Sequence, residues 1–432
     1  MLNDRYGLEV STSSVEARDS YVEAIDRMLA ADGYIEDVLA AAIAADPDFS
    51  LPHIALARQH QLNGRAAEAR AAAEVAVGLA DGATDRERRH VEIMNLTVTG
   101  KIPQALELSQ EHLKDHPRDA FVLAPACGVF GSIGFSGRIG REEEQLAFLA
   151  PFATHYGDDW WFQMVHAFAL LETGEWTRGR ELAERSLELR PDCSHGAHTL
   201  THALYEAGAV DEALGFLGDW IPASDRASLM HCHNWWHYSM LLMMTGQQEA
   251  ADTAFTENCL PGSTDSPAIN VFTDAASYLW CSELAGVPRN RDHWQTVREY
   301  YEEQFRRPIV FVDAHVSLPY VALGDAEQFN ACVAELEELG EAGRLPAENT
   351  AAMLARAYDA FESKQWGTVI ELLESDLAQV VRIGGSRAQR DLQTNTLLAA
   401  YVNDGRHDAA EAFLSSVVDR QPARAVAGLA QG

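Results

Sequence analysis

The chain has 432 residues, 47% of them hydrophobic, and its formal net charge is −32. This charge disfavours nucleic acid and anionic membranes as partners, because both expose negative phosphate groups. The six cysteines form no CxxC pair, no apolar run reaches roughly 18 residues, and the N-terminus carries no basic-then-apolar segment. We therefore expect a reduced, cytoplasmic protein that is neither secreted nor inserted in a membrane.

Helical patterning begins shortly after the N-terminus. Residues 1–20 are polar and rich in Ser and Thr, which predicts a loose lead-in. From residue 21 onward, apolar residues recur at the spacing of three to four that is typical of amphipathic helices. We predict an all-α fold with one continuous helical domain over residues 21–425, in which residues 160–320 form a His-rich central region.

Glycine-led turns divide the helical part of the chain at regular intervals. They begin at Gly64, Gly100, Gly174, Gly208 and Gly246, so successive turns are 36, 74, 34 and 38 residues apart, and the longest interval spans two periods. A period near 36 with a helix on each side of the turn is typical of tetratricopeptide (TPR) repeats, which are about 34 residues long. Such repeats stack into a superhelix. We predict a TPR-like α-solenoid of helical hairpins that encloses a central cavity.

Residues 128–140 interrupt this rhythm with a glycine at every third position. The segment is not a phosphate-binding loop, because no Gly-Lys-Ser/Thr follows it and no strand precedes it. A plain surface loop and a mobile lid over the groove are both compatible with this composition.

Two histidine pairs stand out in the central region. His198 and His202 are four residues apart, as are His233 and His237, and the two pairs are offset by 35 residues. On a helix, residues four apart lie on one face. An offset of one repeat places the pairs at matching positions of successive repeats, so we expect all four imidazoles to face the same groove.

Further polar residues could complete a site in this groove. Asp313 and His315 would add a carboxylate and a fifth imidazole, and Asp274 would orient a histidine through its second ring nitrogen. The candidate substrate-binding residues are Asn234, Trp236, Asp274, Glu172 and, further along the chain, Arg390.

These groups suit more than one kind of chemistry. The five imidazoles His198, His202, His233, His237 and His315 could bind zinc, or iron or manganese with open coordination positions, although the HExxH zinc motif is absent. A metal-free acid/base or binding site and a purely structural polar network remain open alternatives. Cys232 beside the second pair is either an activated thiolate or a small buried residue.

The chain resembles the tetratricopeptide-repeat protein 38 family along most of its length. The most specific matches are Cys232-His-Asn-Trp-Trp-His237, Phe311-Val-Asp-Ala-His315 and Gly384-Gly-Ser-Arg-Ala-Gln-Arg-Asp391. Weaker matches are Ala45-Asp-Pro-Asp-Phe49, Arg86-Glu-Arg-Arg-His90, Leu113-Lys-Asp-His-Pro-Arg-Asp119, His198-Thr-Leu-Thr-His202, Asp274 and Trp294. The resemblance implies the repeat fold and the positions of the polar residues, but it does not define a reaction.

Two details qualify this resemblance. Family members often carry a His-Asp pair where this chain has Cys127-Gly128. If that pair contributes to a family site, this chain has changed part of its pocket or replaced it with the glycine-rich segment. In the last matching segment, Ser386 is predicted to cap a helix that carries Arg390. Arg390 is either an anchor for a carboxylate or phosphate group of a ligand or an arginine paired with neighbouring acids.

From these residues we expect an enzyme that acts on a small molecule in a His/Asp-lined cavity. Acid/base or metal-assisted hydrolysis or elimination suits the candidate groups His198, His202, His233, His237, His315 and Asp313. The alternative is a non-catalytic TPR scaffold that binds a peptide or protein partner in its concave groove. A homodimer that buries the Trp-rich face is also left open, since packing between repeats would explain the same residues.

Overall fold

A computed structural model describes residues 2–306, 309–416 and 425–429. Within these residues the fold is all-α, apart from an antiparallel ribbon of β1 (Leu2–Asn3) and β2 (Glu9–Val10). The helices of the first part of the chain are α1 (Val15–Ala30), α2 (Ile35–Ala45), α3 (Ser50–Leu62), α4 (Ala66–Leu79), α5 (Asp85–Val98), α6 (Ile102–Asp115), α7 (Ala120–Leu123), α8 (Arg141–Leu149) and α9 (Ala153–Tyr156).

The central and last parts of the chain continue in the same way. Their helices are α10 (Trp160–Glu172), α11 (Trp176–Leu189), α12 (Ser194–Glu206), α13 (Val210–Trp220), α14 (His231–Met244), α15 (Gln248–Asn258), α16 (Ala268–Leu284), α17 (Arg291–Gln304), α18 (Val310–Asp313), α19 (Ser317–Leu323), α20 (Ala326–Glu341), α21 (Thr350–Glu362), α22 (Trp366–Asp376), α23 (Arg387–Asn403) and α24 (His407–Ser416). Short 3-10 helices at Ala80–Gly82, Ala124–Ala126, Ala150–Phe152, Ile221–Ala223 and Leu377–Ile383 connect some of them.

Consecutive helices pack as hairpins, which confirms the predicted TPR-like α-solenoid. The pairs include α3 with α4, α10 with α11, α12 with α13 and α14 with α15. The turn after α12 shows how a hairpin is closed. Gly208 has a φ of +73°, and its N–H donates to the carbonyl of Tyr205 at 3.0 Å, while Ala209 donates to Leu204 at 2.9 Å. Glycine adopts this left-handed conformation without steric cost, so the helix ends there.

The N-terminal segment differs from the loose lead-in predicted for residues 1–20. Tyr6 and Val10 are buried, at 5% and 0% exposure. Helix α1 starts at Val15, where the Ser14 side chain accepts a hydrogen bond from Ala17 N at 3.2 Å. These apolar contacts hold the segment in place, so the prediction of a loose lead-in is wrong for residues 2–20. The single continuous domain over 21–425 stays a prediction, and residues 417–424 lie outside the described part.

The glycine-rich segment 128–140 forms a series of tight turns packed on the rest of the molecule. Ile133 is 1% exposed, and the Phe130 ring lies 5.3 Å from that of Phe311. Arg382 Nε donates to the carbonyl of Gly137 at 3.0 Å. The loop interpretation therefore describes this segment better than a lid does.

Two sets of contacts join parts of the array that are far apart in sequence. Near α1, Leu229 N donates to the carbonyl of Ala31 at 3.0 Å, and Arg190 Nη2 lies 2.5 Å from Asp32 Oδ2. Near α23, the buried Arg141 donates to the carbonyls of Val381 and Gly385 at 2.9 and 2.7 Å. Helices α10, α12, α14 and α16 pack side by side between these contacts and carry the candidate site.

None of the described helices combines the length and the apolar composition that a membrane-spanning segment requires.

Candidate functional site

Four imidazoles meet in the interior between α12 and α14. His198, His202, His233 and His237 each place a ring nitrogen within 4.8 Å of the others. The Nε2 atoms of His198 and His202 are 3.0 Å apart. The four residues are 0–7% exposed, so the cluster is shielded from bulk water.

The repeat architecture explains why the histidines converge. Helices α12 and α14 are the first helices of neighbouring hairpins and pack on each other. The pairs occupy matching helical turns because they are one repeat apart in sequence. The start of each helix is also fixed: Gly196 N donates to the Cys193 sulfur at 3.2 Å, and Cys232 N donates to Ser266 Oγ at 3.0 Å. The sequence-based expectation that these four residues share one groove agrees with this geometry.

Aromatic rings cover the cluster on two sides. The Phe168 ring from α10 stacks on His198 with centroids 5.6 Å apart, and the Trp236 ring stacks on His233 at 5.2 Å with an interplanar angle of 7°. Trp236 is 2% exposed. Trp236 therefore forms a wall of the cluster, which differs from the predicted substrate-binding role of a groove residue.

Asp274 on α16 fixes the orientation of one imidazole. His233 Nδ1 donates to Asp274 Oδ2 at 2.8 Å, which leaves Nε2 of His233 directed away from α16. Burial raises the pKa of Asp274, and the contact with His233 opposes this shift. Such a carboxylate commonly holds a metal-binding histidine in one tautomer.

The imidazoles of the cluster favour their neutral forms. Burial, together with the neighbouring imidazoles, holds the pKa of His198 and His237 well below the usual value. Their unprotonated nitrogens can accept a proton or bind a metal ion. The Cys232 thiol contacts Asp274 at 3.9 Å, and its hydrogen bond with Cys259 and its burial raise its pKa. Cys232 is therefore a buried thiol and not an activated thiolate.

Carboxylates lie on the other side of the cluster. Glu172 and Glu206 each place an oxygen within 4.8 Å of a His202 nitrogen. Burial raises the pKa of Glu172 to about 8, with a further contribution from Glu142. Both oxygens of Glu172 accept from the backbone N–H of Arg387, at 3.2 and 3.0 Å.

Arg390 is committed to neighbouring acids. Its Nη2 contacts Glu142 and lies 3.8 Å from Glu172 Oε2, and its Nη1 donates to the carbonyl of Gly385 at 2.5 Å. The structure thus supports the paired arginine and not the anchor for an external anion. Glu172, predicted as a substrate-binding residue, belongs to the same ion-pair network.

Asp313 and His315 are not part of the converging group among the described residues. His315 Nδ1 donates to the carbonyl of Phe311 at 2.8 Å, and burial lowers its pKa to about 4. Burial raises the pKa of Asp313 to about 7, with a contribution from Glu335 on α20. The short helix α18 ends at Asp313, so helical periodicity does not predict the direction of the His315 side chain relative to that of Asp313. His315 is not among the four converging imidazoles of the described residues, and its place around a common cavity stays a prediction.

Asn234 lies between the two His-bearing helices with its Oδ1 buried and without a hydrogen-bond partner among the described residues, and its substrate-binding role stays a prediction. Its side-chain amide donates to the carbonyl of Ser194 at 3.3 Å, which ties α14 to the start of α12. This bond gives Asn234 a structural position between the two His-bearing helices.

A second buried polar cluster was not predicted as a site. Asp119 accepts hydrogen bonds from His90 Nδ1 at 3.0 Å, His112 Nε2 at 3.0 Å and Arg86 Nη1 at 3.2 Å. Burial alone would raise the pKa of Asp119, but His90, His112 and Arg86 hold it well below the usual value. These residues lie on α5, on α6 and in the following turn, and they share no regular spacing that would predict a site. Arg86, His90 and Asp119 belong to segments that resemble the family, whereas His112 does not.

Comparison with known proteins adds little beyond the fold. A scan against protein-family models finds no match. Among solved structures, the chain is similar to the TPR domain of P58(IPK), with 13% identity, a TM-score of 0.21, and coverage of 94% of this chain and 100% of that chain. It is also similar to a structure of Naa15/Naa10 bound to HypK-THB, with 14% identity, a TM-score of 0.26, and coverage of 85% of this chain and 63% of that chain. Likenesses at this level do not indicate what the present chain binds, and its resemblance to the tetratricopeptide-repeat protein 38 family stays a prediction.

Proposed function

We propose that the chain is a non-catalytic helical-repeat protein that binds a basic segment of a protein partner. The observation that carries this proposal is an acidic cleft of about 850 Å³ beside α1. Its volume falls in the range of about 300–1,000 Å³ that is common for ligand-binding clefts. This function corresponds to the scaffold alternative and replaces the small-molecule enzyme as the leading hypothesis.

The composition of the cleft favours a cationic ligand. Seven carboxylate residues and two arginines line it: Asp19, Glu23, Asp26, Asp32, Asp192, Asp219 and Asp225, with Arg27 and Arg190. The net charge of −32 for the whole chain adds a long-range field of the same sign. Such a field accelerates association with a positively charged segment and repels nucleic acid.

Three elements supply the cleft. Asp19, Glu23 and Asp26 lie on one face of α1, because they are spaced three to four residues apart. The turn after α11 and the end of α13 form the opposite side, where Trp220 Nε1 donates to the carbonyl of Pro191 at 2.9 Å. Trp220 offers an aromatic surface to a lysine or arginine chain.

The burial of the interior His cluster supports this function over catalysis. The four imidazoles are buried, Arg390 pairs with Glu172, and Glu172 also accepts from the backbone N–H of Arg387. The enzyme hypothesis remains a second candidate on one observation, the His233–Asp274 pair that faces three further imidazoles. The metal-binding experiment described below bears on it directly, since a closed four-ligand site would leave no position for substrate.

The cleft is tested by removing two of its exposed carboxylates. We expect the double variant Asp219→Asn/Asp225→Asn to bind a labelled Lys/Arg-rich peptide roughly fivefold more weakly than the wild type. Two exposed charge contacts contribute about 0.5 kcal/mol each, and that sum gives this ratio. Fluorescence anisotropy at low and moderate salt measures the affinity, which should also fall as salt rises.

A matched control separates the cleft from the overall charge. Glu338 and Glu341, at the end of α20, are exposed and do not line the cleft. The variant Glu338→Gln/Glu341→Gln removes the same two charges and should bind the peptide as the wild type does. Equal losses in both variants, or no binding of the peptide by the wild type, would count against the proposed cleft.

Binding should also depend on pH near neutrality. Burial raises the pKa of Asp32 to about 6, although Arg190 opposes this shift. A cationic peptide favours the ionised carboxylate, so affinity should fall as the pH drops from 7.5 to 5.5. The loss should reach about fourfold if the peptide binds only the ionised form. The variant Asp32→Asn should bind equally at both pH values, and a pH dependence that survives in it would exclude Asp32 as the source.

A further inference from the structure

We propose that His198, His202, His233 and His237 together bind one divalent transition-metal ion, for which zinc is the best fit, and that this ion joins α12 to α14. The inference concerns the interior of the array and is independent of the acidic cleft. Its basis is the convergence of four ring nitrogens within 4.8 Å of one another, from two neighbouring hairpins.

The spacing of one nitrogen pair in the cluster is close to that of a tetrahedral site. With zinc–nitrogen distances of about 2.0–2.1 Å, the nitrogens of a tetrahedral site lie about 3.3 Å apart. His198 Nε2 and His202 Nε2 are 3.0 Å apart, so small rotations of the two rings would admit an ion. His233 would bind through Nε2, because its Nδ1 is held by Asp274.

One nitrogen in the cluster needs a ligand to satisfy it. His237 Nε2 is buried and has no hydrogen-bond partner among the described residues. A buried polar atom without a partner costs about 1–3 kcal/mol, which makes such atoms rare in folded proteins. A hydrogen bond between His198 and His202 would explain the 3.0 Å distance between their Nε2 atoms. It would not supply a partner for Nε2 of His237. An ion at the centre would satisfy all four nitrogens.

The surrounding carboxyl groups would compensate a dication, because the bound ion itself favours their ionised forms. Asp274 lies behind His233 on one side, and Glu172 and Glu206 lie beside His202 on the other. Arg387 and Arg390 neutralise part of the charge of these glutamates. Neutral imidazoles with second-sphere carboxylates are a common environment for zinc, and imidazole nitrogen is among its preferred ligands.

Four protein ligands fill a tetrahedral coordination sphere. Sites of this type usually stabilise a fold, whereas catalytic zinc sites keep one position open for water or substrate. The ion would therefore act as a cross-link between two neighbouring repeats, at the point where the packing of α12 on α14 is otherwise interrupted by polar side chains.

The test uses full-length protein that carries no polyhistidine tag. After dialysis against a chelator, the wild type should take up about one equivalent of zinc per chain, as measured by mass spectrometry of the metal, and its melting temperature should rise by several degrees. With cobalt in place of zinc, the protein should show the intense visible absorption of a tetrahedral site. A weak octahedral spectrum would overturn the four-ligand geometry.

Two single variants separate the cluster from other histidines. His237→Ala should lose zinc uptake and the thermal shift. His195→Ala should retain both, because His195 lies on α12 one turn before His198 and its Nδ1 contacts the Leu29 carbonyl at 3.3 Å. A wild type that takes up neither zinc nor cobalt would overturn the proposal, as would equal metal loss in both variants. If His237→Ala does not fold, the cobalt spectrum of the wild type decides the question alone.

Discussion

Replacement of Asp119 with Asn is expected to lower the free energy of unfolding by about 3–5 kcal/mol. The Asp119 carboxylate is 3% exposed and is the shared acceptor for Arg86, His90 and His112. The substitution keeps the shape of the side chain but leaves the buried guanidinium of Arg86 without its carboxylate. Breaking one partner of a buried charged network is among the most destabilising changes in a protein.

Asp115→Asn is the matched control for this prediction. Asp115 ends α6 on the same hairpin, its side chain is 70% exposed, and it lies 3.7 Å from Arg89. An exposed pair of this kind contributes about 0–1 kcal/mol, so unfolding in urea should be nearly unchanged. Similar losses in the two variants would show that the Asp119 network does not hold the helices together.

The low pKa of Asp119 also predicts an effect of acid. Its folded-state pKa lies well below the usual value of 3.8, so the stabilisation is present above about pH 4 and is lost as the pH falls through the folded-state value. The wild type should therefore lose more stability than Asp119→Asn as the pH falls from 5 to 2, because protonation of Asp119 removes its stabilising charge.

Gly137→Ala is expected to destabilise the fold by about 2–5 kcal/mol. Gly137 has a φ of +69°, and a Cβ atom there would lie 2.2 Å from the backbone oxygen of Pro346. The left-handed conformation costs a non-glycine residue about 1–2 kcal/mol, and forcing atoms into packed space costs about 1–3 kcal/mol more. Thermal or urea unfolding followed by circular dichroism measures the loss.

Gly140→Ala separates the two causes. Gly140 lies in the same segment with a φ of +80°, but the nearest atom to an added Cβ is 3.8 Å away. It should therefore show the conformational cost of about 1–2 kcal/mol without the steric one. Equal losses of stability at both glycines would mean that the backbone at Pro346 moves away from the added Cβ at little cost. The segment would then not be tightly packed on Pro346.

Local sequence patterns contained most of the information about the fold and the four central histidines. The glycine-led turns predicted the hairpins because a helix that ends in a left-handed residue leaves a strong local signal. The positions of His198, His202, His233 and His237 were predictable from the repeat offset, since equivalent residues of stacked repeats face the same side. Both inferences depend on neighbours within one or two repeats.

Such local patterns do not predict contacts between residues that are far apart in sequence. The direction of His315 depends on the short helix α18, and the partners of Arg390 lie 248 and 218 residues away in sequence. The Asp119 network draws on two helices and a turn without a shared period. The burial of Tyr6 and Val10 likewise depends on residues that fold around the N-terminal ribbon.

The contacts of Arg190 with Asp32 and of Arg141 with the carbonyl of Gly385 span 158 and 244 residues. Open solenoids can gain or lose a unit during evolution because each unit touches only its neighbours. Here an added or deleted hairpin between these anchors would pull the paired residues out of reach. The number of hairpins between these anchors is thus restricted.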